Sequence, residues 1–180
     1  MGIGPTGAPD SLRRISGAWG FQRGTYSVEF ALVFVVFFLV FYGILTYSLV
    51  VAAQHSVTLA AQDGARKILQ WQPGAASLAA RAEAGRDSAL SQAAWISAMS
   101  AGPVRVAVCG RDGALTSAAG GACSGLPLAQ DQVEVNVSYA YGAHPLIPAV
   151  PFLNTALMPA SSVLSARATV HLGDALGGGG

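Results

Sequence analysis

Between Glu29 and Asp63 the chain carries no Asp, Glu, Lys or Arg, and within that gap Phe30 to Ala53 is almost wholly apolar. Nothing else in the sequence limits the fold as strongly. The 26 residues from Val28 to Ala53, wound as a helix, would rise about 39 Å at ~1.5 Å each, enough to cross a ~30 Å hydrocarbon core. Two rivals exist. A secretory signal has an apolar region of only about 7–15 residues, although Val51-Ala52-Ala53 resembles a weak signal-peptidase site and would give a secreted chain starting at Gln54. A soluble core helix rarely runs so far without a charge. Length favours a membrane helix.

Charge placement orients it. Residues 1–24 carry Arg13, Arg14 and Arg23 against Asp10, a net +2, while residues 25–180 hold seven basic and eight acidic side chains, a net −1. Positive charge before an apolar span marks the cytoplasmic side. The N-terminus is therefore expected inside, and the C-terminal part outside, the membrane it crosses. With a net charge of +1 and no clustered basic face, nothing points to nucleic acid. The chain beyond the span is of a size for one small domain.

The expected organisation is a leader over 1–24, a transmembrane and extended helix over 25–72, and a small extracytoplasmic α+β domain over 73–180. Residues 1–23 show no helical or strand period. Past the bilayer the helix continues, with Val57, Ala61, Gly64 and Ile68 recurring at helical spacing. Asp63 stands four residues before Lys67, a favourable order for an ion pair, and Arg66 and Lys67 suit the carboxyl end of the helix. Pro73-Gly74 breaks the pattern. A second helix over 75–99 has a small-residue face of Leu78, Ala82, Gly85, Ala89, Ala93 and Ile96.

After Gly102-Pro103 the period becomes two. Val104–Val108, Val133–Tyr141 and Leu164–Leu172 read as strands of one antiparallel sheet with one buried face. Val135, Val137, Tyr139, Ala166, Ala168 and Val170 are expected to face the core. A Gly/Ala/Ser loop from Gly110 to Gly125 and a proline-rich connection from His144 to Pro159 join them. The tail Gly177–Gly180 reads as unstructured. Cys109 and Cys123 lie on the outer side, where disulfides persist. A bridge between them would close a loop of about 15 residues, worth roughly 3 kcal/mol.

The sharpest local signal is Arg23-Gly24-Thr25-Tyr26-Ser27-Val28-Glu29-Phe30, directly before the apolar run. A Gly, four residues, Glu and an aromatic resemble a type IV prepilin processing site. With Glu29-Phe30-Ala31-Leu32 and the later Ala60-Ala61-Gln62-Asp63-Gly64-Ala65-Arg66, residues 23–69 resemble the TadE-like family of tight-adherence (Flp-type) pilus systems. A proline often found six residues after the Glu is replaced here by Val35, which makes a helix kink less expected. The resemblance implies a minor pseudopilin, cleaved between Gly24 and Thr25, with Glu29 and Phe30 as recognition and assembly elements. Its implied partners are the prepilin peptidase, other pseudopilins and pilins, the inner-membrane assembly platform and the lipid bilayer. Independently, a carboxylate costs up to ~2.5–3.5 kcal/mol at a bilayer centre and less at its edge, so Glu29 calls for a cation. The Thr25 amine freed by cleavage would be one.

No constellation points to an enzyme, a cofactor or a metal. His55, His144 and His171 lack ligand spacing, and two cysteines without a further Cys/His pair make no zinc site. The Gly110–Gly125 loop has no lysine to cradle phosphate, and no Gly-x-Ser-x-Gly elbow occurs. Gly64 inside a helix costs about 1 kcal/mol relative to Ala; close helix packing and a subunit contact explain it equally. The alternative function is an uncleaved, signal-anchored envelope domain that binds a ligand through its Gly/Ser-rich loop.

Overall fold

A computed structural model describes residues 1, 2, 4, 23–70, 77–147 and 162–173. The elements run α1 (Arg23–Leu69), α2 (Leu78–Ser100), then strands β1 (Arg105–Gly110), β2 (Gly113–Ala118), β3 (Gln132–Tyr139) and β4 (Leu164–His171). This is the expected α+β class, with a long apolar helix ahead of an antiparallel sheet. The Pro73-Gly74 break, the connection from Pro148 to Pro159, the Gly177–Gly180 tail and nearly all of the leader lie outside the described residues. Two compact units are present, Met1–Phe41 and Tyr42–Gly180.

In the first unit every side chain of α1 from Tyr26 to Phe41 is exposed. The segment is apolar all round, so no stripe distinguishes a core side from a solvent side.

In the second unit α1 becomes one-sided. Ala53, Val57, Ala60, Ala61, Ala65 and Ile68 are buried, and Leu49 and Val50 pack against the same core. The apolar run therefore does not serve one environment throughout, because its last third already belongs to a protein core. Near the carboxyl end of α1 Asp63 faces Arg66 at 4.0 Å, and the Lys67 Nζ donates to the Gln70 side chain at 3.4 Å.

α2 begins where Ser77 caps it, its side chain accepting from the Ala80 amide at 3.3 Å, which satisfies one of the orphan donors of the first turn. Ala82, Gly85, Ala89, Ala93 and Ile96 are its buried residues, the face read from the sequence. It ends on Ala101 in the left-handed region, φ 54°. Two glycines set its distance from α1. A β-carbon on Gly64 would lie 2.9 Å from the Gly85 carbonyl oxygen and 3.2 Å from the Ala89 Cβ, and one on Gly85 would lie 2.8 Å from the Gly64 oxygen. The helices touch backbone to backbone there, so Gly64 serves helix packing within the fold. Further along the crossing the Trp95 indole donates to the Ser56 hydroxyl at 2.8 Å.

The sheet has the order β2-β1-β3-β4, antiparallel throughout. Val106 pairs with Val137 and Val108 with Val135, while Val137 pairs with Ala166 and Val135 with Ala168. Val106, Val108, Val133, Val135, Val137 and Tyr139 are buried, and Ala166, Ala168 and Val170 are half-buried against them. Each fully buried valine contributes roughly 1.5–3 kcal/mol. The Gly110–Gly125 segment is not all loop: its first half is β2, an edge strand paired with β1 from Val106–Ala118 to Gly110–Gly113, with a bulge after Val108.

The rest of that segment covers the second face of the sheet. Cys109 and Glu134 are register partners on that face, and Cys109 is bonded to Cys123 with a Cα–Cα distance of 5.9 Å. Ser124 donates its amide (3.1 Å) and hydroxyl (2.7 Å) to the Glu134 carboxylate. Asn136 donates to the Ala122 carbonyl at 2.7 Å. A side chain at Gly121 would strike the β1 backbone at Val106, so only glycine permits that approach. Glu134 is thereby 1% exposed, with Arg167 at 3.9 Å as its cation.

Candidate functional site

The residues singled out for processing and assembly lie at the start of α1. Arg23, Gly24 and Thr25 form its first turn, and Glu29 and Phe30 follow one turn later, both exposed. The Gly24–Thr25 bond is thus helical. The first four amides of a helix have no intrahelical acceptor, so this turn opens at little cost. No acidic residue stands in the first turn. Glu29 is the last charged side chain before the charge-free stretch.

From Phe30 onward phenylalanines recur among the exposed aliphatic side chains of the helix. Phe30 stacks on Phe34 with ring centroids 6.1 Å apart, Phe34 on Phe38 at 6.5 Å, and Phe37 on Phe41 at 6.1 Å. Each pair is four residues apart, the spacing that brings side chains together on a helix. Two hydroxyls bond back to the helix: Thr46 Oγ1 donates to the Tyr42 carbonyl and Ser48 Oγ to the Ile44 carbonyl, both at 2.8 Å. A helix that closes its own hydrogen bonds is what a bilayer interior tolerates. Among the described residues one helical stretch, Tyr26–Leu69, is long and apolar enough to cross a membrane.

The family model described as TadE-like protein matches residues 24–66. Over that stretch the chain is similar to the TadE-like family. The match begins at Gly24, takes in Glu29 and Phe30, and ends at Arg66, the last residue of the Ala60–Arg66 motif. The matched segment runs from the exposed apolar stretch of α1 to the face that carries Gly64. The family is one of proteins associated with the tight-adherence pilus. No curated protein and no solved structure matches the chain.

The other residues weighed from the sequence are dispersed. His55 lies on α1 and His144 in the turn after β3. His171, on β4, contacts the Asp131 carboxylate through Nδ1 at 3.1 Å and the Gln132 amide through Nε2 at 3.2 Å. That contact, and the backbone around it, hold the Asp131 carboxyl below its ordinary value. Among the described residues no three His, Cys, Asp or Glu side chains converge as a metal site would require. Sequence reasoning missed Glu134, which sits at a polar position of an alternating strand. The available signal was Cys109, since a bridge from the polar face of β1 has to carry covering chain onto that face.

Proposed function

We propose that this chain is a minor pseudopilin of a tight-adherence pilus system, cut between Gly24 and Thr25. In this reading α1 is held in the bacterial cytoplasmic membrane, with the leader inside and the Tyr42–Gly180 unit outside. The observation that carries the proposal is the TadE-like segment opening on Gly24, with Glu29 and Phe30 at the head of an exposed apolar helix. Cutting at Gly24 removes Arg13, Arg14 and Arg23, which otherwise hold the N-terminus at the inner headgroups. The new Thr25 amine and the Glu29 carboxylate then form the polar tip of an otherwise apolar helix, pairing within one chain or between neighbours. Such a helix can pass from lipid into an assembly. The proposed partners are the prepilin peptidase, other pilins and pseudopilins, and the membrane platform that assembles them. The protein acts structurally and not as an enzyme.

N-terminal sequencing of membrane-extracted protein tests this directly. A chain starting at Thr25 supports the proposal, one starting at Met1 identifies an uncleaved anchor, and one starting at Gln54 identifies a secreted protein. Gly24→Leu should leave full-length protein in the membrane and abolish pilus formation. Glu29→Gln should permit some cleavage yet impair assembly. Maturation of Gly24→Leu at Thr25 would overturn the reading.

A further inference from the structure

The segment that covers the second face of the sheet has little to hold it shut. Residues 119–126 pass over β1 and β3, and none of them is buried. Leu126, their largest side chain, is 50% exposed. What they shield is small: Ala107, Cys109 and Glu134 are the buried residues on that face. Their anchors on the sheet are three hydrogen bonds, from the Ser124 amide and hydroxyl to Glu134 and from Asn136 to the Ala122 carbonyl. Ordering these eight residues, with Gly120, Gly121 and Gly125 among them, costs more conformational entropy than three such bonds offset. The Cys109–Cys123 bond supplies the difference.

Glycines in the left-handed region bracket the segment, Gly120 at φ 73° and Gly125 at φ 78°. Glycine crosses between backbone regions at little cost, so the chain can pivot at both places. The sheet does not depend on the cover, because Val106, Val108, Val133, Val135 and Val137 are buried in the core on its other face. The bond itself is unevenly shielded. Cys109 is 1% exposed, whereas Cys123 is half-buried. A cavity of about 280 Å³ reaches both cysteines, lined also by Glu134, Leu126 and the exposed Arg111. A cation beside a sulfur favours the thiolate, the form in which a thiol attacks.

We propose that the Cys109–Cys123 bond is a reducible latch, opened by a dithiol that attacks the Cys123 sulfur through this cavity. The attacking thiolate bonds to Cys123 Sγ and expels Cys109 as a thiolate. The second thiol of the reductant then attacks its own sulfur in the mixed disulfide and releases Cys123. Two electrons pass to the protein, the dithiol leaves as a disulfide, and its two protons end on Cys109 and Cys123. With the bond gone the segment pivots off the sheet at Gly120 and Gly125. Glu134 then exchanges its Ser124 donors for water while keeping Arg167, at 3.9 Å, as its cation. Coupling of this kind is reciprocal: whatever seats Ser124 on Glu134 also favours the bond, which makes Glu134 a positioning residue for the two thiols. The latch lies wholly within the Tyr42–Gly180 unit and needs no particular placement of the first unit.

The test uses the full oxidised chain in detergent micelles without denaturant. After brief exposure to excess glutathione and an acid quench, tandem mass spectrometry should locate the mixed disulfide on Cys123. Dithiothreitol should free both thiols while far-ultraviolet circular dichroism stays unchanged. Amide hydrogen exchange over residues 119–126 should then speed up several-fold, with that of β3 and α2 unmoved. In a glutathione redox buffer Glu134→Gln and Ser124→Ala should each raise the dithiol-to-disulfide ratio several-fold. Ser117→Ala, exposed on β2 within the same loop, should leave it unchanged. Glutathione found on Cys109 would overturn the latch, as would reduction that needs enough urea to release the β3 amides. So would amides at 119–126 that stay protected after reduction. Should Glu134→Gln fail to fold, Ser124→Ala at its exposed position decides: a ratio equal to that of the wild type overturns the role of Glu134.

Discussion

The two parts of α1 obey different rules although they share one helix. From Tyr26 to Phe41 the side chains are mostly large, aromatic or branched, and every one is exposed. From Tyr42 to Leu69 the buried positions are mostly Ala, Gly, Ser and Val. Large side chains maximise apolar area offered to a solvent of hydrocarbon, where no particular neighbour has to fit. Small ones give up area so that a second helix can approach closely. Hydrophobicity alone does not separate these environments; side-chain size and one-sidedness do.

Matched substitutions at buried and exposed positions should break or sharpen that contrast, each read as the change in unfolding free energy by urea titration in detergent micelles. Ile68→Ala, at a fully buried position, should cost about 2–5 kcal/mol. Leu32→Ala, at an exposed position of the first unit, should cost less than about 0.5 kcal/mol. Equal losses would show that the first unit has a core of its own. Replacing both Cys109 and Cys123 by Ser should cost about 3 kcal/mol while leaving the helicity of α1 unchanged by circular dichroism. Gly64→Ala should cost about 1–3 kcal/mol, since its β-carbon meets the Gly85 backbone. Gly43→Ala meets nothing within 4 Å and should be neutral or stabilising by up to about 1 kcal/mol. Ser56→Ala removes the acceptor of the Trp95 indole and should cost about 1–2 kcal/mol, whereas Ser48→Ala, which only bonds back to its own helix, should do almost nothing.

Acid should produce the smallest effect, and only in the second unit. The Asp131 carboxyl is held below its ordinary value of 3.8 chiefly by the hydrogen bond from His171. A lowered folded-state value means that the carboxylate contributes stability above the ordinary carboxylate range and loses it as pH falls through the folded value. The pair is open to solvent, so the loss is slight. The urea midpoint of the wild type should therefore drop a little more on acidification than that of Asp131→Asn.

Much of this fold is legible in the residues because it is periodic. Val133 to Tyr139 alternates strictly, and the small-residue face of α2 keeps helical spacing through Gly85, Ala89 and Ala93. β2 is illegible for a physical reason. Gly113–Ala118 contributes backbone hydrogen bonds to β1 while its side chains stay mostly exposed, so no apolar alternation is selected. Ala101 is hidden likewise, a left-handed cap where glycine is the usual signal. Of the candidate site, the order Gly24, Glu29, Phe30 and the reach of the resemblance, read as 23–69 against a match over 24–66, were visible in the sequence. The helical state of the Gly24–Thr25 bond was not, because the composition of the leader carries no period to say where α1 begins.

The Gly64–Gly85 crossing has a mechanical consequence. A tension applied along α1 loads its contacts with α2 and β4 sideways, in shear, so that the backbone approach at Gly64, the Ser56–Trp95 bond and the Gln54–Ser165 bond must yield together and not one after another. A crossing locked at glycines also has no slack for rotation, because turning α1 about its axis drives the β-carbon of Ala61 or Ala65 toward the place where only a hydrogen fits. Force or torque entering the second part of the helix is therefore handed to the whole sheet domain at once, as through a keyed shaft.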